Sequence, residues 1–399
     1  MENIIIIILL LSLIIWLYLL FFRGNFWLCN QSLPDQIINN LTLNNYPSVC
    51  AIIPARNEAE VINISLESLL KQDYKGQFSL ILINDQSTDP TEKIAQETAK
   101  NIVSNHSLNI VSGIPLEKGW SGKLWAVNQG INYAQNLPNS PVYFLLTDAD
   151  IHHDPNNLNA LIYKAETENL ALVSAMVKLR CESFWENLLI PAFIYFFQKL
   201  YPFQWVNNFQ KKIGAAAGGC ILIRRDVLES IGGISSVKNA LIDDCSLAQT
   251  VKNYLKTNQM NYQGIWLGLA DKTVSLRSYN SLKSIWDMVA RTAYTQLNYS
   301  VFLLIGTVLA MILIYLVPPV GIIIGIVLNN LNIMLVSLVT YLLITISYYP
   351  TIRLYQCSFI YPFLLPAIAF LYTLMTIDSA FKHWQGKGGA WKGRVYSDQ

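Results

Sequence analysis

The way charge is distributed along the chain constrains its fold more than any single motif does. Residues 4–22 carry no charged side chain, and neither do residues 301–317, 333–349 and 359–377. At about 1.5 Å of rise per helical residue, each block is long enough, or nearly so, to cross a hydrocarbon core of roughly 30 Å. Transmembrane helices are therefore expected at both ends. Between them, Arg23 to Asn298 mixes charges of both signs as a soluble domain does. The uneven split accounts for only 14% charged residues, against roughly 25% in soluble proteins. A formal net charge of +2 offers no basic surface for nucleic acid, and no nucleic-acid partner is expected.

The first block has no basic leader, and Arg23 follows it without a small-residue cleavage site, so residues 1–23 are expected to stay as an anchor. Residues 24–298 then form the globular domain, 299–380 the C-terminal helices and 381–399 a basic tail. The six cysteines are scattered without a CxxC pair, which reads as isolated thiols in a reducing compartment.

Past a polar, Asn-rich linker at about 30–46, short apolar runs alternate with helical patterns. Strands are expected at Val49–Ile53, Leu80–Ile83, Leu108–Val111 and Val142–Leu146, and another over Leu170–Leu179. Helices are expected at about 58–72, 90–100 and 123–135. Apolar runs rather than apolar–polar alternation indicate an α/β domain with a mostly parallel, Rossmann-like sheet covered on both faces. The aromatic stretch 187–206 reads either as a helix in the membrane interface or as a buried core helix.

Ligands bind beyond the carboxyl ends of the strands in such sheets. Asp148 and Asp150, one residue apart after the fourth strand, would present both carboxylates to one face, where like charges need a cation between them. Hard oxygen ligands suit Mg²⁺ or Mn²⁺, completed by substrate phosphates; the plainer reading is a surface turn. Asp85 follows the second strand, where an acid can accept hydrogen bonds from a base or ribose. Lys123 sits near a helix start, where an anionic diphosphate would account for it, unless it is simply solvated. Asp243 and Asp244 open a later helix; they either complement its N-terminus or supply a general base. Gly218-Gly219 upstream would let an acceptor approach the backbone. His152 and His153 read as loop residues.

In this order the motifs resemble the family-2 glycosyltransferases of GT-A fold, and within them the bacterial hopene-associated glycosyltransferases. The segments that carry the resemblance are Ile53-Pro54-Ala55-Arg56-Asn57-Glu58, Asn84-Asp85-Gln86-Ser87-Thr88-Asp89, Gly119-Trp120-Ser121-Gly122-Lys123, Thr147-Asp148-Ala149-Asp150, Ala217-Gly218-Gly219-Cys220, Ile242-Asp243-Asp244-Cys245 and Met288-Val289-Ala290-Arg291-Thr292. The resemblance implies that Pro54, Ala55, Arg56, Glu58, Asp85, Lys123, Asp148 and Arg291 bind the nucleotide diphosphate of a UDP- or GDP-sugar. It implies that Asp148 and Asp150 hold a divalent cation, and that Asp244, beside Asp243, is the general base of an inverting transfer. Arg291 falls where many members carry Gln-x-x-Arg-Trp, but Met288 and Thr292 replace the Gln and Trp, which favours a single transfer over processive synthesis. A lipid acceptor, hopanoid-related in the family's pattern, and a bacterial inner membrane with the domain cytoplasmic are implied as well. Two other readings of a metal-bound diphosphate site are a phospho- or nucleotidyl-transferase and a silent membrane scaffold.

The topology conflicts with charge. With the domain inside, three C-terminal crossings leave the tail outside, yet Lys382, Lys387, Lys392 and Arg394 favour the inside. Either one block turns back, with 301–328 marked by Pro318-Pro319, or charge does not decide. The expectation is a tail on the domain's side.

Overall fold

The computed structural model describes residues 2–33, 45–258, 260–387, 390–391 and 394–395. Most of the Asn-rich linker and Lys392 of the tail lie outside the described residues.

Helix α1 (Glu2–Phe22) leads into β1 (Val49–Ala55), α2 (Ile62–Leu70), β2 (Phe78–Asn84), α3 (Thr91–Asn101), β3 (Ser107–Ser112), α4 (Gly122–Gln135) and β4 (Tyr143–Thr147). The chain then reverses through Asp148-Ala149-Asp150 into the two-residue β5 (Ile151–His152), followed by α5 (Asn157–Thr167) and β6 (Leu172–Lys178). Next come α6 (Phe184–Leu200), α7 (Phe203–Asn207), β7 (Cys220–Arg224), α8 (Arg225–Ser230), α9 (Asp243–Asn258), β8 (Ile265–Ser275) and α10 (Leu282–Ala290). The eight strands form one sheet in the order β3-β2-β1-β4-β7-β6-β8-β5.

Strands β3, β2, β1 and β4 pair in parallel, as the apolar runs led one to expect. Every residue of β1 and β4 is buried, because both faces of the sheet are covered. Alternate residues feed separate cores: Ile52, Ile81, Ile83 and Phe144 point to one, and Ala51, Ile53, Leu80 and Leu145 to the other. Where α4 crosses β1, a Cβ on Gly130 would lie 2.6 Å from Ile52 Cγ2, so this glycine sets how closely helix and strand approach.

Two strands depart from the parallel expectation. β7 runs antiparallel to both β4 and β6, and β5 antiparallel to β8. Asp148 and Asp150 follow β4 and occupy the turn into β5, so strand alternation does not set which way their carboxylates face.

Among the described residues, four helices are long and apolar enough to cross a membrane: Glu2–Phe22, Val301–Val327, Leu331–Leu354 and Tyr361–Trp384. The second is continuous despite Pro318-Pro319, which removes the expected break. α11 (Val301–Met311) passes through a π-turn at Ile312–Leu316 into α12 (Val317–Val327). Pro318 has no N–H for the Ile314 carbonyl four residues back; Trp16 Nε1 of α1 donates to that carbonyl at 2.8 Å, and Ser12 Oγ to Leu313 O at 2.8 Å. Further on, a Cβ on Gly325 would lie 2.6 Å from the Met334 backbone nitrogen, so α12 packs tightly against α13 (Leu331–Leu354). The last helix is α14 (Leu365–Trp384), led by a 3₁₀ turn at Tyr361–Leu364.

α6 joins the domain to these helices. Ser183 and Glu186 form a capping box at its start. The Tyr195 hydroxyl lies 2.7 Å from Ser347 Oγ of α13, and the Tyr372 hydroxyl of α14 donates to Leu189 O at 2.8 Å. Phe196 packs edge-on to Tyr372 with ring centroids 5.0 Å apart. Of the two readings left open for this stretch, the structure adds a specific one: α6 is buried between the sheet and the apolar helices.

Candidate functional site

A cavity of about 290 Å³ opens at the carboxyl ends of β1, β4 and β8. Its lining includes Pro54, Glu58, Lys123, Asp148, Asp150, Gly218, Gly219, Asp243, Asp244 and Arg291. Sequence residues more than 200 positions apart thus meet in one place. Ala55, Arg56 and Asp85 are not among the lining residues. Asp85 is fully buried at the end of β2, and Arg56 Nη1 donates to its backbone oxygen at 2.7 Å.

One half of the floor is built around Lys123. Its helix α4 begins at Ser121, whose Oγ accepts from the Leu124 N–H, and the ammonium reaches 2.7 Å from Asp148 Oδ1 and 3.7 Å from Asp243 Oδ2. Burial alone would lower the Lys123 pKa, but Asp148 and Asp243 outweigh it and hold the group charged well above the usual range. Asp244 accepts the Gly218 N–H at 2.8 Å and its neighbour Cys245 N–H at 2.7 Å. A Cβ at Gly218 would lie 3.2 Å from Lys123 Nζ and 3.3 Å from Asp244 Oδ2, so glycine is what admits this close approach. Burial, followed by the charge of Asp243, pushes the Asp244 carboxyl up to about 6 against the opposing pull of Lys123.

The other half turns on Arg277, which sequence reasoning missed. It follows β8, and its Nε lies 2.9 Å from Asp150 Oδ2 while Nη2 lies 3.4 Å from Glu58 Oε1. Burial would weaken the guanidinium's charge, but Asp150, Tyr279 and Glu58 raise its pKa above the ordinary value. Its loop is fixed at both ends. The Leu276 N–H donates to Asp150 O at 2.7 Å, and the Tyr279 N–H donates to Glu186 Oε1 at 2.7 Å. Glu186 is fully buried, which would raise its pKa, yet N–H groups of Ser183, Tyr279 and Glu182 hold it low and ionised. The signal for Arg277 was the strand-end rule applied to β8, a strand whose pattern is broken by Asp271 and Lys272.

Behind the acids, His153 is a loop residue as expected but a buried one, whereas His152 ends β5. Thr147 Oγ1 donates to Gly219 O at 2.8 Å, so the 2.9 Å contact between His153 Nε2 and Thr147 Oγ1 has the imidazole donating. Nδ1 then accepts from Asn157 Nδ2 at 3.0 Å. Burial, then neighbouring His152, lowers its pKa to about 3, so this neutral ring pins the Asp148–Asp150 turn without titrating near neutrality.

Part of the lining is apolar. Phe193 and Phe197 of α6 form that part together with Met176, Val177 and Leu179. The cavity therefore pairs an ionic floor with an aromatic side supplied by the helix that packs on the apolar helices.

Among the described residues no three His, Cys, Asp or Glu side chains gather into a metal cage. Asp148 and Asp150 offer hard oxygen atoms, and Mg²⁺ or Mn²⁺ is commonly held by one or two carboxylates plus water and phosphate oxygens. The donor set fits such an ion on those terms, with Lys123 and Arg277 already balancing the two acids.

Against known proteins, residues 50–232 match the family model described as glycosyl transferase family 2. An undecaprenyl-phosphate 4-deoxy-4-formamido-L-arabinose transferase of Proteus mirabilis is 29% identical over 127 residues, 31% of this chain and 36% of that one. A 4,4'-diaponeurosporenoate glycosyltransferase of Staphylococcus aureus is 35% identical over 94 residues, 23% of each. The chain spans about half or less of the length of the curated relatives it matches. Among solved structures, the mannosyltransferase PcManGT from Pyrobaculum calidifontis in complex with GDP-Man and Mn²⁺ superposes with a TM-score of 0.54 at 15% identity, over 96% of this chain and 99% of that one. That likeness establishes a shared fold. Residues 50–232 are thus similar to glycosyl transferase family 2, and the chain shares its fold with PcManGT.

Proposed function

We propose that the protein is a membrane-bound, inverting glycosyltransferase that moves a single sugar from a UDP- or GDP-sugar to a lipid acceptor. The observation that carries this reading is the two-sided cavity, with Lys123, Asp148, Asp150 and Arg277 on its floor and Phe193 and Phe197 on its wall. A nucleotide diphosphate suits the first side and an apolar acceptor the second. The related proteins whose names specify undecaprenyl-phosphate and 4,4'-diaponeurosporenoate support a lipid acceptor. The complex of PcManGT with GDP-Man and Mn²⁺ supports a nucleotide-sugar and a divalent ion. A hopanoid-related acceptor and a bacterial inner membrane with the domain cytoplasmic remain part of the proposal, carried by the sequence resemblance.

Asp148 and Asp150 would hold a divalent ion, which when bound supplies positive charge to the departing diphosphate. Lys123 and Arg277 add fixed cations on either side of that position. Asp244, in the same cluster as Lys123 and Gly218, would act as general base. As the acceptor oxygen attacks the anomeric carbon, its proton passes to Asp244, and the carbon–oxygen bond to the diphosphate breaks on the opposite face. The Gly218 and Cys245 N–H groups hold the Asp244 carboxylate in place. Arg291, with Met288 and Thr292 around it in sequence, fits a site that releases its product after one transfer.

The test is incubation of membranes containing the protein with labelled nucleotide-sugars and extracted lipids, followed by mass spectrometry. A new glycolipid that is lost in Asp244→Asn while donor binding persists supports the reading. Label released only as free sugar, or incorporated equally by Asp244→Asn, removes it.

A further inference from the structure

We infer that residues 361–384, long and apolar enough to count as a fourth span, do not cross the membrane but enter and leave it on the catalytic domain's side. The inference rests on the reading that the apolar helices lie in a bilayer. It is independent of which sugar or acceptor the site uses.

The two sides are marked by hydrogen bonds. On the far side, Asn330, in the turn between α12 and α13, donates to Glu2 of α1 at 2.8 Å. On the near side, Arg23 Nε donates to Lys199 O of α6 at 3.3 Å, and the Leu179 N–H donates to the Tyr355 hydroxyl just past α13 at 3.3 Å. Three helices run between these levels: α1, the continuous Val301–Val327 helix, and α13.

The last segment starts and ends at the near level. Just before it, Cys357 Sγ lies 3.7 Å from Cys181 Sγ and 3.1 Å from Asn187 Oδ1, both in the domain. At its end, Trp286 Nε1 of α10 donates to Asp378 at 2.7 Å, and Lys382 Nζ lies 2.9 Å from Asp287. The Tyr294 N–H donates to Ser379 Oγ at 3.0 Å, and His383 stacks on Tyr299 with centroids 4.4 Å apart. A crossing helix would have placed one of these ends beside Asn330.

The turning point is inside. Tyr341 of α13 donates its hydroxyl to Phe363 O at 2.7 Å. Tyr341 lies ten residues in from Leu331, roughly 15 Å along the helix from the far end and about halfway through a bilayer core. Backbone that turns within hydrocarbon needs such an internal donor, since no water is present to satisfy it. Around the turn Phe359, Ile360, Phe363 and Leu364 are exposed, as is Phe370 beyond it. These side chains suit the acyl chains of the domain-facing leaflet. α14 then climbs beside the Val301–Leu316 half of its neighbour, with Ala380 packed near Leu304.

This places the start of the tail with the domain. The basic residues Lys382 and Lys387 then share the domain's side, while Leu328–Asn330 on the far side carries no charge. The element that turns back is the last block, not 301–328.

Single cysteines read the sides directly. Glu97→Cys marks the domain, Leu328→Cys the far turn, and Gln385→Cys the end of α14. Each full-length variant is labelled with a membrane-impermeant maleimide in sealed vesicles of both orientations. Signal is normalised to labelling in detergent after subtracting that of the unaltered chain. Gln385→Cys is expected to label from the same side as Glu97→Cys and opposite to Leu328→Cys; labelling together with Leu328→Cys overturns the inference. Phe363→Cys is expected to label only in detergent. Labelling of Phe363→Cys in sealed vesicles of either orientation overturns the entry into the bilayer.

Discussion

Asp244 gains its chemistry from where it sits rather than from its own side chain. With its pKa pushed up to about 6 by burial and Asp243, it is protonated in mild acid and ionised at neutral pH. The folded protein therefore binds an extra proton between the ordinary carboxylate range and about 6. Any stability linked to that proton is present in acid and lost as pH rises through about 6. The proposed base function has the opposite sense: transfer should rise about tenfold per pH unit below 6 and level off above it. A profile flat from pH 5 to 8 with chemistry rate-limiting would remove Asp244 from the proton step. Arg277 makes a second case. Arg277→Ala deletes two charge-assisted contacts, each worth about 1.5–3 kcal/mol in a partly buried setting before solvent screening is discounted. Donor KM in Arg277→Ala should rise about tenfold or more, with Arg277→Lys in between because a lysine lacks the fork. Unchanged donor KM in Arg277→Ala would show that the guanidinium serves only the loop. The acids of this site were legible because carboxylates after apolar runs stand out in a sequence. Arg277 was not, since its partner Asp150 lies far off in sequence and nothing near Arg277 announces a binding site.

At the scale of elements, the parallel strands were legible because β1, β2 and β4 must be apolar on both faces. β7 and β5 were not, since five- and two-residue strands leave too little pattern to show direction. α6 shows a different limit. Its aromatic content fitted either an interface or a core, and only its partners, Ser347 and Tyr372 on helices more than 150 residues away, decide where it lies. The Val301–Val327 helix misled in the same way: Pro318-Pro319 signals a break, but the repair comes from α1. Trp16→Phe keeps the ring and removes the donor to Ile314 O. It should cost about 1 kcal/mol, read as a lower midpoint of thermal unfolding in detergent. Ser12→Ala with Trp16→Phe should lower it further. A double variant as stable as the parent would mean that the π-turn satisfies itself.

At the scale of the whole molecule, sheet and apolar helices share one core. Trp16, Tyr195, Tyr348 and Tyr372 belong to the same buried cluster as Ile52 and Phe144 of the sheet. Residues 24–298 produced without the helices should therefore aggregate or lack a cooperative thermal transition, because the α6 face would be bare. A soluble, cooperatively unfolding fragment would show that the domain stands alone. The bonds from Ser12 and Trp16 to Leu313 and Ile314 also set an order of assembly. With the apolar helices in a bilayer as proposed, the first helix enters it nearly 300 residues before the carbonyls it completes are synthesised. Until the two meet, the proline-bearing helix holds unsatisfied backbone in lipid, so insertion of the last helices depends on the first having stayed nearby. Replacing α1 with another anchor of equal hydrophobicity would keep the protein in the membrane but deprive Val301–Val327 of its donors. The anchor is in this sense a folding template for a helix made nearly three hundred residues later.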